Sequence, residues 1–152
     1  MSFPTTDRLK RWYERCEVHF ALAGDGGEVR IGISPRVRFL ADDRLALEVP
    51  AGVWRWVGEL LRPGRWIALH PGELGAVKAP YQLKGLVALR DDPALVSELF
   101  PESDAPALVE VELRELFITK PGPEAGQRVD RWTVEELTEF ERALGWLKEE
   151  NL

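Results

Sequence analysis

A single cysteine, Cys16, stands in 152 residues, so no disulfide can form within the chain and no thiolate cluster can hold a metal. Histidine is almost as scarce. His19 and His70 are far apart in sequence, and neither belongs to an HxxxH or HExxH pattern, the spacing that puts two ligands on one helix face. No apolar run reaches the roughly 18 residues of a membrane span. Met1 to Lys10 lacks the apolar core of a secretory signal, which makes the cytoplasm the expected compartment. G-x-S-x-G, the P-loop and G-x-G-x-x-G are all missing, so hydrolase, nucleotide triphosphatase and Rossmann readings lack support. An excess of basic charge is missing too: 20 Lys and Arg face 26 Asp and Glu, for a net charge of −6. Bulk electrostatics therefore disfavour nucleic acid, although a local basic pocket for a small anion remains open.

What is present is the composition of one globular domain, 45% apolar and 30% charged, long enough for one core and too short for two. Leu9, Trp12, Tyr13 and Cys16 share a stripe of a first helix over 5–15, capped by Thr6. The period then changes. Val18, Phe20 and Leu22 alternate as a strand, and Gly24 to Gly27 turn the chain. Val29, Ile31, Ile33, Pro35, Val37 and Phe39 share one parity and Arg30, Gly32, Ser34, Arg36 and Arg38 the other. This predicts one half-buried strand, its apolar row inward, interrupted or bent at Pro35. Asp42-Asp43 turns into a return strand over Leu45, Leu47 and Val49.

Val53, Trp56, Val57, Leu60 and Leu61 have helical spacing, which places Trp56 toward the core and Arg55 in the helix's first turn. Residues 65–70 read as a strand, 71–80 as a loop, and Tyr81, Leu83, Gly85, Val87 and Leu89 as a strand again. A short helix spans 93–100. A long strand over 107–119 follows, with Val109, Val111, Leu113 and Phe117 on one face. Thr133 and Glu136 make a capping box for a final helix along Val134, Leu137, Phe140, Leu144 and Leu147. The sum is a mainly β domain of about six strands and four helices, with a core near 16–120 and a C-terminal loop and helix over 121–150. Antiparallel hairpins favour a barrel, since closure removes exposed edges; an open α+β sandwich is the alternative.

The order and local wording of these elements resemble the FMN-binding split-barrel family related to pyridoxamine 5'-phosphate oxidase. Gly27 to Arg36, with its Ser-Pro-Arg ending, is similar to that family's second strand, and Asp42 to Leu47 to its next hairpin. Arg55 to Pro63 with Arg65 to Leu69 resembles the helix bearing the phosphate contacts and the strand after it. Tyr81 to Leu89 carries the lysine-glycine pair that the family places before an acidic turn. The resemblance covers about 16–120. It implies a six-stranded antiparallel split barrel with short peripheral helices, a homodimer, and FMN at the subunit interface.

Carried onto this chain, the resemblance marks Ser34, Pro35 and Arg36 along the ring and ribityl chain, and Val49 and Pro50 at its edge. It marks Arg55 as a phosphate contact, with Trp56 where a second basic residue often stands, and Lys84 as a cofactor or substrate contact. No catalytic residue stands out, which agrees with a flavin supplying the redox chemistry. Substrate and electron donor are not readable. Two alternatives follow from the residues: a non-catalytic binding protein of the same fold that has lost FMN or uses haem or a deazaflavin, and a small-barrel nucleic-acid-binding or adaptor module resting on the Arg30–Arg38 row.

Overall fold

The computed structural model describes residues 2–72, 81–120 and 122–143. The elements run α1 (Asp7–Arg15), β1 (Val18–Ala23), β2 (Val29–Ser34), β3 (Val37–Ala41), β4 (Arg44–Leu47), α2 (Ala51–Val57), β5 (Trp66–Pro71), β6 (Tyr81–Arg90), α3 (Pro93–Leu99), β7 (Leu108–Ile118) and α4 (Val134–Ala143). Most of the loop expected over 71–80, together with Pro121, Leu144 and Leu147, lies outside the described residues.

The seven strands among the described residues belong to one antiparallel sheet in the order β2-β1-β5-β6-β7-β4-β3. Its two outermost strands are neighbours in sequence, separated only by Pro35 and Arg36. Three peptide steps reach no more than about 11 Å, so the sheet must roll until its edges nearly meet. No ladder joins β2 to β3. The barrel is therefore split along the line where the chain crosses from one edge to the other.

The expected six strands become seven because the segment 29–39 is two strands. Pro35 offers no ladder N–H, and the residues on either side pair with different partners, β2 with β1 and β3 with β4. Both free edges are met by side chains. Trp56 Nε1 donates to the Ile31 carbonyl at 3.0 Å on the β2 edge. On the β3 edge, Glu14 Oε2 accepts from the Phe39 amide at 2.9 Å.

The interior is filled by Phe20, Leu22, Val37, Leu45, Leu47, Ile67, Leu69, Leu83, Val111 and Leu116, each fully or almost fully buried. α1 closes one end with Leu9, Trp12 and Tyr13, and the Tyr13 hydroxyl donates to the Leu69 carbonyl at 3.0 Å. α3 covers the outer side of β4 and β7, where Val96, Phe100, Leu108 and Ala46 form a second apolar cluster. The β1–β2 turn closes through Gly27 at φ +88°, a backbone state that costs glycine nothing. At the end of the chain the capping box is formed: Thr133 Oγ1 accepts from the Glu136 amide at 3.1 Å, and Glu136 Oε1 accepts from the Thr133 amide at 3.3 Å.

Two parities differ from the sequence reading. In β2 the apolar row faces outward, with Val29 and Ile31 62% and 63% exposed, while Gly32 and Ser34 face in. The physical reason is space: a Cβ on Gly32 would stand 2.4 Å from the Phe20 ring, so this strand lies where only small residues fit inside. In β7 the ladder shifts register opposite Lys84 and Gly85, leaving Arg114 as an extra residue. That bulge turns Leu116 and Ile118 inward and Phe117, expected with Val111 and Leu113, to the other face. Gly85 is the matching close approach, since a Cβ there would meet the Glu112 carbonyl at 2.3 Å. Val134, expected on the inner stripe of α4, is 40% exposed.

Candidate functional site

The expected site residues fall into two neighbouring regions. The first is the corner where β2 ends and α2 begins. Ser34 is fully buried, and its hydroxyl donates to the Arg36 carbonyl at 2.9 Å, which holds the chain through its crossing between edges. Pro35 is exposed at the bend. Arg36 grips Glu48 with two bonds, Nε to Oε1 at 2.7 Å and Nη2 to Oε2 at 2.9 Å, and donates to the Pro101 carbonyl at 2.9 Å. Its guanidinium also lies over the Phe100 ring, 5.6 Å from the centroid. Burial pushes the Glu48 carboxyl up. The Arg36 and Ser103 hydrogen bonds, with Arg36's charge, outweigh that and hold it below the usual range. Glu48 was not singled out in the sequence. Its signal was a charged residue inside the apolar run Leu47-Glu48-Val49.

Val49 is a core residue, and Pro50 caps α2 with its carbonyl accepting from the Trp54 amide at 2.8 Å. The helix therefore starts at Ala51 rather than near Val53, because Pro50 and Ala51 serve its first turn instead of breaking the sheet. Arg55 consequently sits in the last turn of a seven-residue helix, not the first. The helix dipole does not favour an anion there, and the side chain acts as an exposed cation. Trp56 points outward as well, 55% exposed. It lies under the Arg30 guanidinium, 5.2 Å from its ring centroid, and its carbonyl accepts from Arg30 at 2.9 Å. The apolar contacts expected of Trp56 in the core belong to Val57, Leu60 and Leu61. Trp132 packs edge-on against Phe140, with ring centroids 6.2 Å apart.

The second region is the outer face of β2, β1, β5 and β6. Register places Ile31 beside Ala21, Ala21 beside Ala68, and Ala68 beside Lys84. Two alanines thus make a low floor between taller walls. Val29 and Trp66, together with Lys84 and Glu115, wall a trough of about 420 Å³ over that floor. The Lys84 ammonium lies 5.2 Å from the Phe117 ring centroid. A second trough of about 280 Å³ shares the same two alanines and reaches His19, His70 and Gln82. Val29, Ile31, Ile33, Trp56 and Trp66, all 45% exposed or more, make this one continuous apolar surface, larger than an isolated exposed side chain would explain. A wider cavity of about 660 Å³ lies by the β3–β4 turn, where Arg114 pairs with Glu112 at 2.9 Å and Asp42 with Lys10 at 2.6 Å.

For FMN, the outer face fits the flat apolar ring: alanine floor, aromatic wall and one ammonium. Of the cations near the corner, Arg36 is committed to Glu48 and Arg30 to Trp56. Arg55 is exposed and makes no ion pair among the described residues. The Arg30, Arg36 and Arg38 row does not form one cationic stripe. Each guanidinium turns to a different local partner, Arg38 to the Val37 carbonyl at 2.8 Å.

No family model matches the chain, and no curated protein matches it. Solved structures do. HupZ from Group A Streptococcus aligns with a TM-score of 0.62 at 14% identity, over 80% of this chain and 99% of HupZ. A protein from Lactobacillus delbrueckii, provisionally named a pyridoxamine 5'-phosphate oxidase, aligns with a TM-score of 0.54 at 15% identity, over 77% of this chain and 99% of that one. An FMN-binding protein from Syntrophomonas wolfei aligns with a TM-score of 0.53 at 9% identity, over 76% and 88% of the two chains. At these identities the likeness is one of fold, and the fold is the split barrel of FMN-binding and pyridoxamine 5'-phosphate oxidase-like proteins. Among the described residues no helix is long and apolar enough to cross a membrane.

Proposed function

We propose, from a chain with the split-barrel fold, that it binds FMN as a homodimer and serves as a flavin-dependent oxidoreductase. The observation that carries this reading is the uncovered apolar face of β2, β1, β5 and β6 with its alanine-floored trough. A surface of that kind is stabilised by being covered, and an isologous pair covers it with the same surface of a second copy. In such a pair Lys84 and Trp66 flank the ring, and Arg55 at the corner takes the phosphate, where its planar fork suits two oxygens. Ser34, Arg36, Val49 and Pro50 shape the corner from below, Arg36 through its hold on Glu48. The flavin would supply the electron and hydride chemistry, and the protein position and electrostatics.

The test is an absorption spectrum of purified protein before and after added FMN, with sedimentation to give the mass. Expected are a shifted flavin band near 450 nm and a dimer. R55A should weaken FMN by roughly 10- to 150-fold, the value of one charge-assisted contact of about 1.5–3 kcal/mol. No spectral change with wild-type protein sinks the flavin reading, and a monomer sinks the shared site.

A second reading, a binding protein of this fold without FMN, is favoured by one observation. The arginine at the crossing is already neutralised by Glu48, and the position beside Arg55 is the indole of Trp56. A colourless dimer indifferent to FMN would select it.

A further inference from the structure

We propose that His19 and His70 form a two-histidine site for a divalent transition metal of the copper–zinc class. The two residues are 51 positions apart by number, yet β1 and β5 pair so that His19 and His70 are direct register partners. Directly opposed residues of antiparallel strands have Cβ atoms about 4.5–5.5 Å apart. Imidazoles on such a pair can close on one ion at metal–nitrogen distances of about 2.0–2.1 Å. Both rings stand on the outer face and line the same trough of about 280 Å³.

The surroundings suit a ligand role. The His19 side chain is half exposed, and its Nε2 lies 3.7 Å from Glu17 Oε1, which places a negative charge beside an incoming cation. His70 is half-buried, with Nε2 3.2 Å from Thr119 Oγ1 and a ring hydrogen bond to the Pro71 backbone. A ring hydrogen bond to a backbone carbonyl is the outer support that metal-bound histidines generally carry, and the ion would take the place of Thr119 on the other nitrogen. Metal binding takes the neutral form of each imidazole. Imidazole ligands select copper and zinc over magnesium and calcium. Among the described residues no group of three or more His, Cys, Asp or Glu side chains is placed to hold a metal ion, so the two imidazoles are the protein ligands proposed. Cys16, buried at 6% exposure, does not compete.

This site does not depend on FMN binding and is tested without it. Cu²⁺ is titrated into the full chain at pH 7.4, followed by tryptophan fluorescence and by electron paramagnetic resonance, with H19Q, H70Q and the double variant alongside. Thermal melts of each variant control for folding. The expected result is one Cu²⁺ per chain with two nitrogen ligands, an affinity at least tenfold lower in each single variant, and one nitrogen fewer in its spectrum. Wild-type affinity in either folded single variant overturns the proposal. So does a wild-type spectrum with fewer than two imidazole nitrogens. Should H70Q fail to fold, the exposed H19Q decides alone.

Discussion

Replacing Arg36 by methionine isolates the most heavily bonded charge of the candidate site. Glu48 is 4% exposed in its side chain and Arg36 32%, so R36M leaves a carboxylate enclosed while taking away both guanidinium bonds, at 2.7 and 2.9 Å. Removing one partner of a fully buried pair costs about 3–5 kcal/mol. Because Arg36 reaches solvent, the cost here should be smaller, about 2–3 kcal/mol. For a chain of this length that lowers Tm by roughly 4–12 °C at pH 7. In R36M/E48M both charges are gone, and most of the loss should return, since an apolar pair fills the same space without a stranded charge.

The pH profile supplies an independent sign. Glu48 titrates lower in the fold than in the unfolded chain. Its contribution is therefore present above the unfolded carboxylate value of about 4.3 and disappears as pH falls through the lower folded value. The gap between wild type and R36M should be full at pH 7 and shrink below pH 4. Equal melting of R36M and wild type at pH 7, or a gap unchanged at pH 3, would refute the argument. With R36M folded at 25 °C, its FMN affinity then separates an architectural arginine from one that touches the cofactor.

Gly85→Ala should destabilise by at least about 2 kcal/mol in urea unfolding, because the new methyl meets the Glu112 carbonyl at 2.3 Å and Val111 Cγ1 at 2.7 Å, backbone and packed core rather than a movable tip. Gly26→Ala, whose Cβ meets only the flexible Glu28 carboxylate at 3.0 Å, is the control, and equal midpoints for the two would contradict the close approach. Glu141 on α4 is 1% exposed and accepts from the Tyr81 hydroxyl at 2.6 Å and from Thr6 at 2.9 Å. Burial raises its pKa against the pull of those bonds and of Arg8 and Arg11. A carboxyl raised in the fold favours the fold at low pH and costs stability as pH climbs past its unfolded value of about 4.3. E141Q should therefore gain on wild type in Tm between pH 4 and pH 8, and a difference that stays constant across that range would count against a raised carboxyl.

Much of this architecture could be read from residue order. The hairpin turns, the cap at Thr6, the capping box at Thr133 and the alternation of β1, β4 and β6 are local patterns, and local patterns survive folding. What escaped were features decided by a distant neighbour. Nothing near Ile31 says that Phe20 occupies the interior beside Gly32 and leaves the apolar row of β2 outside. The bulge at Arg114 is likewise invisible in Leu113-Arg114-Glu115, because it exists only against Gly85. Trp56 has core spacing, yet Val57, Leu60 and Leu61 already fill the core and the indole takes the strand edge instead. His19 and His70 show the same limit at the level of a site: their meeting is a property of register, which neither segment carries alone.

The indole of Trp56 on the Ile31 carbonyl and the Glu14 carboxylate on the Phe39 amide bear on how this molecule can stick to itself. A greasy sheet surface flanked by bare strand ends invites open-ended polymer growth, one chain extending the ladder of the last. One backbone group on each rim is already taken by a side chain, which leaves the greasy face the more open of the adhesive surfaces. Ladder extension by another copy would have to displace those two contacts first.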